Sequence, residues 1–468
     1  MTMFNPQCLF DLTKQSLLKN ESWVPVASQL IPFLIWEDLF MEAVSGRHMA
    51  VVEAMVASWP SPCLDLTSLM RDQQLGALVT LHSVFKALGV LLDQGPRRTA
   101  GHLRVLLPAA PVTWLDKELE SLRCGKCSRA APRKPLVGME VVGDLSFQEA
   151  DWNLLLSFLT CRVEEGKALP QLYCRKLTFA DHLPEYQVIE KILANVQLDG
   201  VEELKIYYIT KMDFLSMIAP YLSQMVHLKI LTLQTLIPRD WILMHPPQDK
   251  HRTDQLDTIY KEFTSQLAYL RQFQHLHIID AYLRGNINHF LKHIETHLES
   301  LTISPIYYTL DNSDLKSLSL YPCTRRLKVL NFSKNLLAHL NVKLLGAAIL
   351  RTSDTLEHLD LSYCDLRDSH LNTILPALIR CSRLRLFKFS GNCVRTSILK
   401  RLLRRILPTK KSRCLVLPLP HNSDREDPLV FVSGLVPLLE GLGVLCKIHL
   451  NPNEVSFEVR VDVLMEQS

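Results

Sequence analysis

The chain has 468 residues, of which 47% are apolar and 21% are charged, and its formal net charge is +4 at pH 7. This composition is that of a folded globular protein, and the small net charge excludes the strong basic bias of an obligate nucleic-acid binder. No apolar run reaches the roughly 18 residues that a membrane-spanning helix needs, so we expect no membrane partner.

The first hundred residues carry apolar side chains at helical spacing. Two helices are predicted there, with apolar stripes at Val51, Met55, Val56 and Trp59 and at Leu75, Leu78, Val79, Phe85, Leu88, Leu91 and Leu92. The second helix stops before Gly95 and Pro96. Because a terminal repeat needs its apolar end covered, residues 1–100 are predicted to form an α-helical N-terminal cap. Residues 124–138 are basic, contain proline and are predicted to be an exposed loop or a linker.

One pattern occurs three times between Leu327 and Val394. The copies are LKVLNFSKNLL, LEHLDLSYCDL and LRLFKFSGNCV, and their nearly evenly spaced starts are Leu327, Leu356 and Leu384. Apolar residues occupy positions one, four, six and eleven, and Asn or Cys occupies position nine. This is the pattern of the leucine-rich repeat, in which each unit contributes a strand and a helix.

Weaker copies precede these three. They begin at Leu169, Val201, Leu228, Phe273 and Leu298, and only the interval between Leu228 and Phe273 is much longer than the others. That long interval contains residues 237–254, which are predicted to be an inserted loop because they carry Pro246, Pro247 and clustered charges. The sequence therefore predicts an α/β leucine-rich repeat solenoid, or horseshoe, over residues 101–440, with a C-terminal cap over 441–468.

The spacing within a repeat predicts which side chains face the core. Leu359 and Leu361 are separated by a single residue and point to one side of a strand, whereas Asp360 and Ser362 point to the other. Residues at position nine (Asn335, Cys364 and Asn392) can bond to backbone groups that would otherwise be buried and unpaired. The predicted binding residues on the concave strand face are Lys205, Tyr207, Thr232, Gln234, His277, Thr302, Asn331, Ser333, Asp360, Ser362, Lys388 and Ser390.

The order of several segments resembles the PRAME family. These are SLLKNE from Ser16, IPFLIWEDLF from Ile31, GRHMAVVEAMVASWPSPCL from Gly46 and VQLDGVEEL from Val196, followed by the late repeats. The resemblance implies a substrate-recognition subunit of a cullin-2 RING ubiquitin ligase, which joins the cullin through elongin B and C and binds an unidentified target protein. It also implies roles in transcriptional repression, blocked differentiation, proliferation and restrained apoptosis, in the germ line or early embryo.

The ligase contact would lie near the N-terminus. The elongin-binding pattern is matched by Ser16 and Leu17, but Glu21 and Pro25 occupy its later positions. The cullin-contact pattern of apolar residues around a proline is matched by Ile31, Pro32, Ile35, Leu39 and Phe40. Pro32 suits the first turn of a helix. An amphipathic cap helix would use the same residues, so both interpretations stay open.

A second hypothesis is a non-catalytic scaffold or transcriptional corepressor that acts through LxxLL helices. The three matches are LGVLL from Leu88, LKRLL from Leu399 and LVPLL from Leu435, although repeat helices normally bury such leucines. A basic run could also attract an acidic partner, an import receptor or nucleic acid, although it lacks aromatic residues on which bases could stack. Its members are Arg395, Lys400, Arg401, Arg404, Arg405, Lys410, Lys411 and Arg413.

Enzymatic and metal chemistry find little support. No GxSxG elbow, phosphate loop or dinucleotide fingerprint occurs, so no residue is proposed as catalytic. Cys124 and Cys127 form half of a zinc motif without a second pair, and His289, His293 and His297 are predicted to face solvent. We expect no metal or cofactor. The 12 cysteines are expected to be reduced thiols, which favours a cytoplasmic location, with the nucleus as a second one.

Overall fold

The computed structural model describes residues 9–69, 77–94, 103–107, 139–148, 154–180, 182–236, 250–281, 285–304, 310–406, 413–418, 446–451 and 457–461. The chain divides into two compact units, Met1–Val201 and Glu202–Ser468. No helix among the described residues is long and apolar enough to cross a membrane.

The first unit begins with helices and continues with short strands. Its helices are α1 (Leu9–Leu17), α2 (Val24–Ala27), α3 (Phe33–Ser45), α4 (Met49–Ala57), α5 (Leu66–Leu69), α6 (Ala77–Gln94), α7 (Leu154–Glu164) and α8 (Tyr186–Leu193). Its strands are β1 (Cys63–Asp65), β2 (Leu103–Leu106), β3 (Met139–Val142), β4 (Leu145–Phe147), β5 (Gln171–Tyr173) and β6 (Lys176–Phe179). The two predicted N-terminal helices are present as α4 and α6, but Val79 is exposed rather than part of the core, and the Leu75 and Leu78 side chains lie outside the described ones.

The N-terminal helices pack around Trp59, in the segment on which the family resemblance depends. The Trp59 ring meets Phe33 and Phe40 edge to face, with centroids 5.9 and 5.3 Å apart. Its indole Nε1 donates to the Cys63 carbonyl at 2.9 Å, which ties the end of this region to β1. Lys14 of α1 forms ion pairs with two carboxylates of α3. Aromatic packing and one satisfied indole therefore fix how α3, α4 and β1 meet.

The strands of the first unit form a four-stranded parallel sheet, in the order β1-β2-β3-β5, and β4 pairs with β6 outside that sheet. Leu64, Val105, Val141 and Leu172 lie in register across the sheet, and all four are buried. The segment from Leu169, predicted to be a repeat strand, supplies β5. Its sheet partner is β3, so this copy belongs to the first unit's own sheet.

The second unit is the repeat array. Its strands are β7 (Glu203–Tyr207), β8 (Ile230–Gln234), β9 (His275–Ile279), β10 (Ser300–Ser304), β11 (Val329–Asn331), β12 (His358–Asp360), β13 (Leu386–Lys388), β14 (Arg413–Pro418), β15 (Cys446–Asn451) and β16 (Phe457–Val461). Its helices are α9 (Asp213–Leu222), α10 (Lys250–Ser265), α11 (Ile287–Lys292), α12 (Asn312–Leu320), α13 (Val342–Arg351), α14 (Asp368–Arg380) and α15 (Thr396–Ile406). Strands β7 to β15 are parallel neighbours, and β16 pairs antiparallel with β15 inside the predicted C-terminal cap.

The predicted strand register is confirmed. Position four of each repeat lies beside position four of the next, through Leu204, Leu231, Leu276, Leu301, Leu330, Leu359 and Phe387. All seven side chains are buried. At about 1.5 to 3 kcal/mol for each buried large side chain, this column contributes substantially to the array's stability.

The side chains at position nine bond to buried backbone groups, as the sequence predicts. Asn392 Nδ2 donates to the carbonyls of Leu361 and Phe389 at 2.8 and 2.9 Å, and its Oδ1 accepts from Cys364 N and Leu366 N at 3.2 and 2.9 Å. Asn335 Nδ2 likewise donates to Ile303 O and Phe332 O. These side chains hold each repeat to the one before it. Cys364 is also a buried free thiol, whereas Cys393 is exposed.

Part of the expected inserted loop is helical. Helix α10 begins at Lys250, so residues 250–254 are helical, and residues 237–249 lie outside the described part of the chain. Leu256, Tyr260 and Phe263 are buried at helical spacing. That stripe gives the helix a packed face, which the charges and prolines upstream obscured.

Candidate protein-interaction sites

Exposed apolar residues cluster between Val26 and Leu34. Val26, Leu30 and Leu34 are 66%, 76% and 79% exposed, and Phe33 is 37% exposed. Ile31 is half-buried and Pro32 is exposed. We call these six residues the N-terminal apolar segment. Soluble proteins seldom leave such a run uncovered, and an uncovered run of this kind marks a contact site.

The predicted cullin-contact residues divide between this segment and the core. Ile31, Pro32 and Ile35 are at least partly accessible, but Leu39 is 1% exposed and Phe40 is fully buried. Those two cannot touch a partner in this conformation, because both are buried in the core, where Phe40 packs against Trp59. Sequence reasoning missed Val26, Leu30, Phe33 and Leu34, which are the large exposed apolar residues of this segment.

The predicted elongin-contact residues lie at the end of a helix. Ser16 is exposed and Leu17 is half-buried, and the Leu17 carbonyl accepts the Trp23 indole N–H at 2.6 Å. Helix α1 ends at Leu17, a 3-10 turn follows at Glu21–Trp23, and α2 begins at Val24. The pattern from Ser16 to Pro25 therefore does not lie on one continuous helix.

The predicted binding residues at position five form a line across the sheet, which we call the strand-face row. Its members lie in register as Lys205, Thr232, His277, Thr302, Asn331, Asp360 and Lys388. The first four are buried, at 8% exposure or less. This corrects the expectation that they are open to a partner.

The buried end of this row is held by polar contacts. Lys205 Nζ lies 3.1 Å from Glu203 Oε1, and His277 Nδ1 lies 3.0 Å from Thr302 Oγ1. Burial, reinforced by His275 and Lys205, lowers the pKa of His277 to about 3. His277 is therefore neutral at physiological pH.

The accessible end of the row begins at β11. Asn331, Asp360 and Lys388 are all half-buried. Asp360 Oδ1 accepts from Ser362 N at 2.9 Å, while its Oδ2 lies 3.8 Å from Lys388 Nζ. Asn331 Oδ1 accepts from Ser333 N in the same way. The strands thus end in side-chain-stabilised turns that fix the orientation of these polar groups.

The predicted residues at position seven are mostly covered. Gln234, Ser362 and Ser390 are buried, whereas Tyr207 and Ser333 are half-buried. Tyr208 and Tyr363, one position further on, are 51% and 47% exposed. Sequence reasoning did not select these tyrosines, because position eight carries no core or strand-face signal in the repeat pattern.

The LxxLL motifs of the second hypothesis are buried or half-buried where the structure describes them. In LKRLL, the side chains of Leu399, Leu402 and Leu403 are all buried, so this motif cannot enter a partner's groove. In LGVLL, Leu88 is buried while Leu91 and Leu92 are half-buried. LVPLL and the Cys124–Cys127 pair lie outside the described residues.

The histidine trio does not form a site. Helix α11 ends at Lys292, so His293 and His297 lie beyond the helix that holds His289. His289 and His293 are half-buried, and only His297 is exposed as expected. Within the described ranges, no group of three or more His, Cys, Asp or Glu side chains could hold a metal ion.

Three features define a leucine-rich repeat protein. They are the buried side chains in register at position four, the side chains at position nine that bond to the preceding repeat, and the alternation of strands and helices. Family models match residues 6–108 as the PRAME N-terminal domain and residues 139–458 as the PRAME C-terminal domain. The chain belongs to the PRAME family.

Two relatives match nearly the whole chain. Preferentially expressed antigen in melanoma-like protein 1 of Mus musculus is 31% identical over 437 residues, which cover 91% of this chain and 92% of that protein. PRAME family member 12 of Homo sapiens is 30% identical over 436 residues, which cover 90% of this chain and 86% of that protein.

Solved structures with a related fold are more distant. A chain in the crystal structure of the Rad7 and Elc1 complex in yeast has a TM-score of 0.36 and 15% identity, covering 90% of this chain and 97% of its own. The leucine-rich repeat-containing protein LegL7 from Legionella pneumophila has a TM-score of 0.33 and 17% identity. The match covers 72% of this chain and 98% of the LegL7 chain. Because both TM-scores are low, neither likeness supports a statement about function.

Proposed function

We propose that this chain is the substrate-recognition subunit of a cullin-2 RING E3 ubiquitin ligase, completed by elongin B and C and a RING subunit. The N-terminal apolar segment contacts the cullin, and the strand face binds the protein to be ubiquitinated. The chain itself catalyses nothing. It acts by raising the effective concentration of a target lysine near the transferred ubiquitin.

The exposure of the N-terminal apolar segment is the observation that carries this proposal. The cullin-contact pattern implied by the family resemblance begins at Ile31 and Pro32, and the segment surrounds both. Burying Leu30 and Leu34, which are 76% and 79% exposed, against a partner would contribute about 1.5 to 3 kcal/mol for each side chain. The contact set is therefore the six residues of the N-terminal apolar segment, without the buried Leu39 and Phe40.

The target-binding role falls to the accessible end of the strand-face row. Asn331, Asp360 and Lys388 provide polar contacts of both charges, and the exposed Tyr363 provides an aromatic anchor beside them. Binding energy in protein interfaces is concentrated in a few such anchors. Loss of the targets would then lead to repressed transcription, restrained differentiation and apoptosis, and increased proliferation, in the cytoplasm or the nucleus.

Variants that alter one of the two surfaces at a time test the proposal. In cells, Asp360→Arg combined with Tyr363→Ala should lower the ubiquitination of proteins that accumulate when the chain is removed, with cullin-2 recovery unchanged. Leu30→Asp combined with Leu34→Asp should lower both ubiquitination and cullin-2 recovery. Val79→Asp is the matched control, because Val79 is another exposed apolar residue of the same unit. Recovery of cullin-2 that is the same for wild type and the Leu30/Leu34 variant would refute the proposal.

A further inference from the structure

Three consecutive helices of the second unit end with exposed aliphatic side chains. Leu320 of α12, Leu350 of α13 and Ile379 of α14 are 59%, 43% and 39% exposed. Their spacing along the chain is close to the repeat step, so they occupy the same place in successive repeats. Because these helices pack side by side, at the roughly 8 to 10 Å typical of helix pairs, the three side chains form a short apolar strip.

Arginine side chains border this strip. Arg351 and Arg380 are exposed and end α13 and α14, and the exposed Arg404 lies in the last turn of α15. Arg351 Nη2 lies 3.5 Å from the Tyr321 carbonyl, which places its guanidinium beside the end of α12, next to Leu320. The strip thus has cations on the same edge where the helices end. We call the three aliphatic and three arginine residues the helix-end surface.

The cations of this surface lack acidic partners in the part of the chain that the structure describes. Salt bridges there pair several of the charged residues on the strand edges, but none involves Arg351, Arg380 or Arg404. Helices α13, α14 and α15 contain one acidic residue, Asp368, and it pairs with Arg395 at 2.5 Å at the opposite end of α14. Favourable interaction with the helix dipole accounts for an arginine in a last turn, but not for the exposed aliphatic residues beside it.

We infer that the helix-end surface binds a polypeptide segment that combines acidic and aliphatic side chains. Its carboxylates pair with the arginines, and its aliphatic residues cover Leu320, Leu350 and Ile379. A nucleic acid would satisfy the cations but not the aliphatic strip, and none of the six residues of this surface is an aromatic on which a base could stack. A second copy of this surface is excluded as the partner by like-charge repulsion. The inference goes beyond the proposed ligase role and does not depend on it.

Fluorescence anisotropy with the full chain tests this inference. The probe is a short fluorescein-labelled peptide of alternating Asp-Glu and Leu-Leu pairs. The control probe is the same peptide with every Leu replaced by Ser. The wild-type chain should bind the first peptide at least tenfold more tightly than the second at physiological ionic strength. Arg380→Glu with Arg404→Glu, and separately Leu350→Ser with Ile379→Ser, should each weaken binding of the first peptide at least tenfold.

Matched variants separate this surface from general charge and apolar effects. Lys211→Glu with Arg271→Glu changes the net charge equally on exposed residues of earlier repeats, and Leu336→Ser removes an aliphatic residue that is 48% exposed. Both controls should bind like wild type, and circular dichroism should give all variants the same Tm within a few degrees. Equal affinity for the two peptides, unchanged binding by either test variant, or tighter binding of a single-stranded RNA of equal charge would overturn the inference.

Discussion

The ring of Tyr363 lies directly over Gly391 of the next repeat. A Cβ added to Gly391 would overlap Cδ1 and Cε1 of that ring, closer than van der Waals contact permits. Gly391 has a φ of +70°, in the left-handed region that favours glycine. Both residues occupy position eight of their repeats, and all the described position-eight residues of the second unit are left-handed, at Tyr208, Thr235, Asp280, Lys334, Tyr363 and Gly391.

Gly391→Ala should therefore lower the free energy of unfolding by about 1 to 3 kcal/mol, because it combines left-handed strain with the Tyr363 contact. Denaturant unfolding of the full chain measures this change. In a Tyr363→Ala background the same substitution should cost less, since only the backbone strain remains. An equal cost in both backgrounds would mean that the ring does not press on this position.

Asn392→Ala removes four hydrogen bonds between buried groups of two repeats. Each buried group left without a partner costs about 1 to 3 kcal/mol, so the loss should exceed about 3 kcal/mol and be visible in thermal unfolding. Cys364→Ala is the natural comparison, because Cys364 Sγ makes a weaker contact to Phe332 O at 3.1 Å. The cysteine variant should lose less, and the reverse order would show that the amide hydrogen bonds of Asn392 are not the stronger link between repeats.

Leu361→Ala tests the register of the strands directly. Leu361 is fully buried at position six, so its truncation leaves a cavity that should cost about 2 to 5 kcal/mol. Leu336→Ala, at a position that is 48% exposed, should change the unfolding free energy by no more than about 0.5 kcal/mol. Equal Tm values for wild type and Leu361→Ala would contradict the assigned register.

His277 makes the stability of the array depend on pH. Its pKa is lowered to about 3 by burial, with His275 and Lys205 adding to the effect, whereas an unfolded histidine has a pKa of about 6.5. Below that value the unfolded chain takes up a proton that the folded chain does not, so the unfolding free energy falls, by up to about 1.4 kcal/mol per pH unit. The unfolding free energy continues to fall until the pH approaches the pKa of His277 in the folded chain. Above the pKa of His277 in the unfolded chain, this group causes no loss of stability.

The measurement is the unfolding free energy of wild type minus that of His277→Gln, followed from neutral pH to about two units below the unfolded pKa. The difference should shrink or change sign as the pH falls. Asp314 acts in the opposite direction, because burial raises its pKa to about 6 and its protonation in the folded state adds stability below that pH. It is present in both proteins and cancels in the difference. A constant difference over this range would mean that His277 titrates normally.

The repeat register was predictable because buried leucines recur with the period of the fold, and the position-nine asparagines were predictable because their amides match orphan backbone groups. The left-handed conformation at position eight was not predictable, because only Asp280 and Gly391 carry residue types that favour it, whereas Tyr208 and Lys334 do not. Burial of Lys205 and His277 was also unpredictable, because strand alternation gives the side to which a residue points but not what covers it.

The N-terminal contact residues could have been sorted more closely from the sequence. Trp36, Leu39, Phe40 and Ala43 follow the i, i+3, i+4, i+7 spacing of a buried stripe, and all four are buried. Leu34 lies off that stripe and is 79% exposed. A pattern match that counts apolar residues without their helical phase therefore joins core residues to surface residues.

Direct binding of purified cullin-2 to the full chain, titrated with and without elongin B and C, tests the central claim. The wild-type chain and Val79→Asp should bind with the same Kd. Leu30→Asp with Leu34→Asp should weaken binding at least tenfold, because two side chains that the complex would bury are replaced by carboxylates. No saturable binding by the wild-type chain under either condition, or the same Kd for the Leu30/Leu34 variant, would contradict the account.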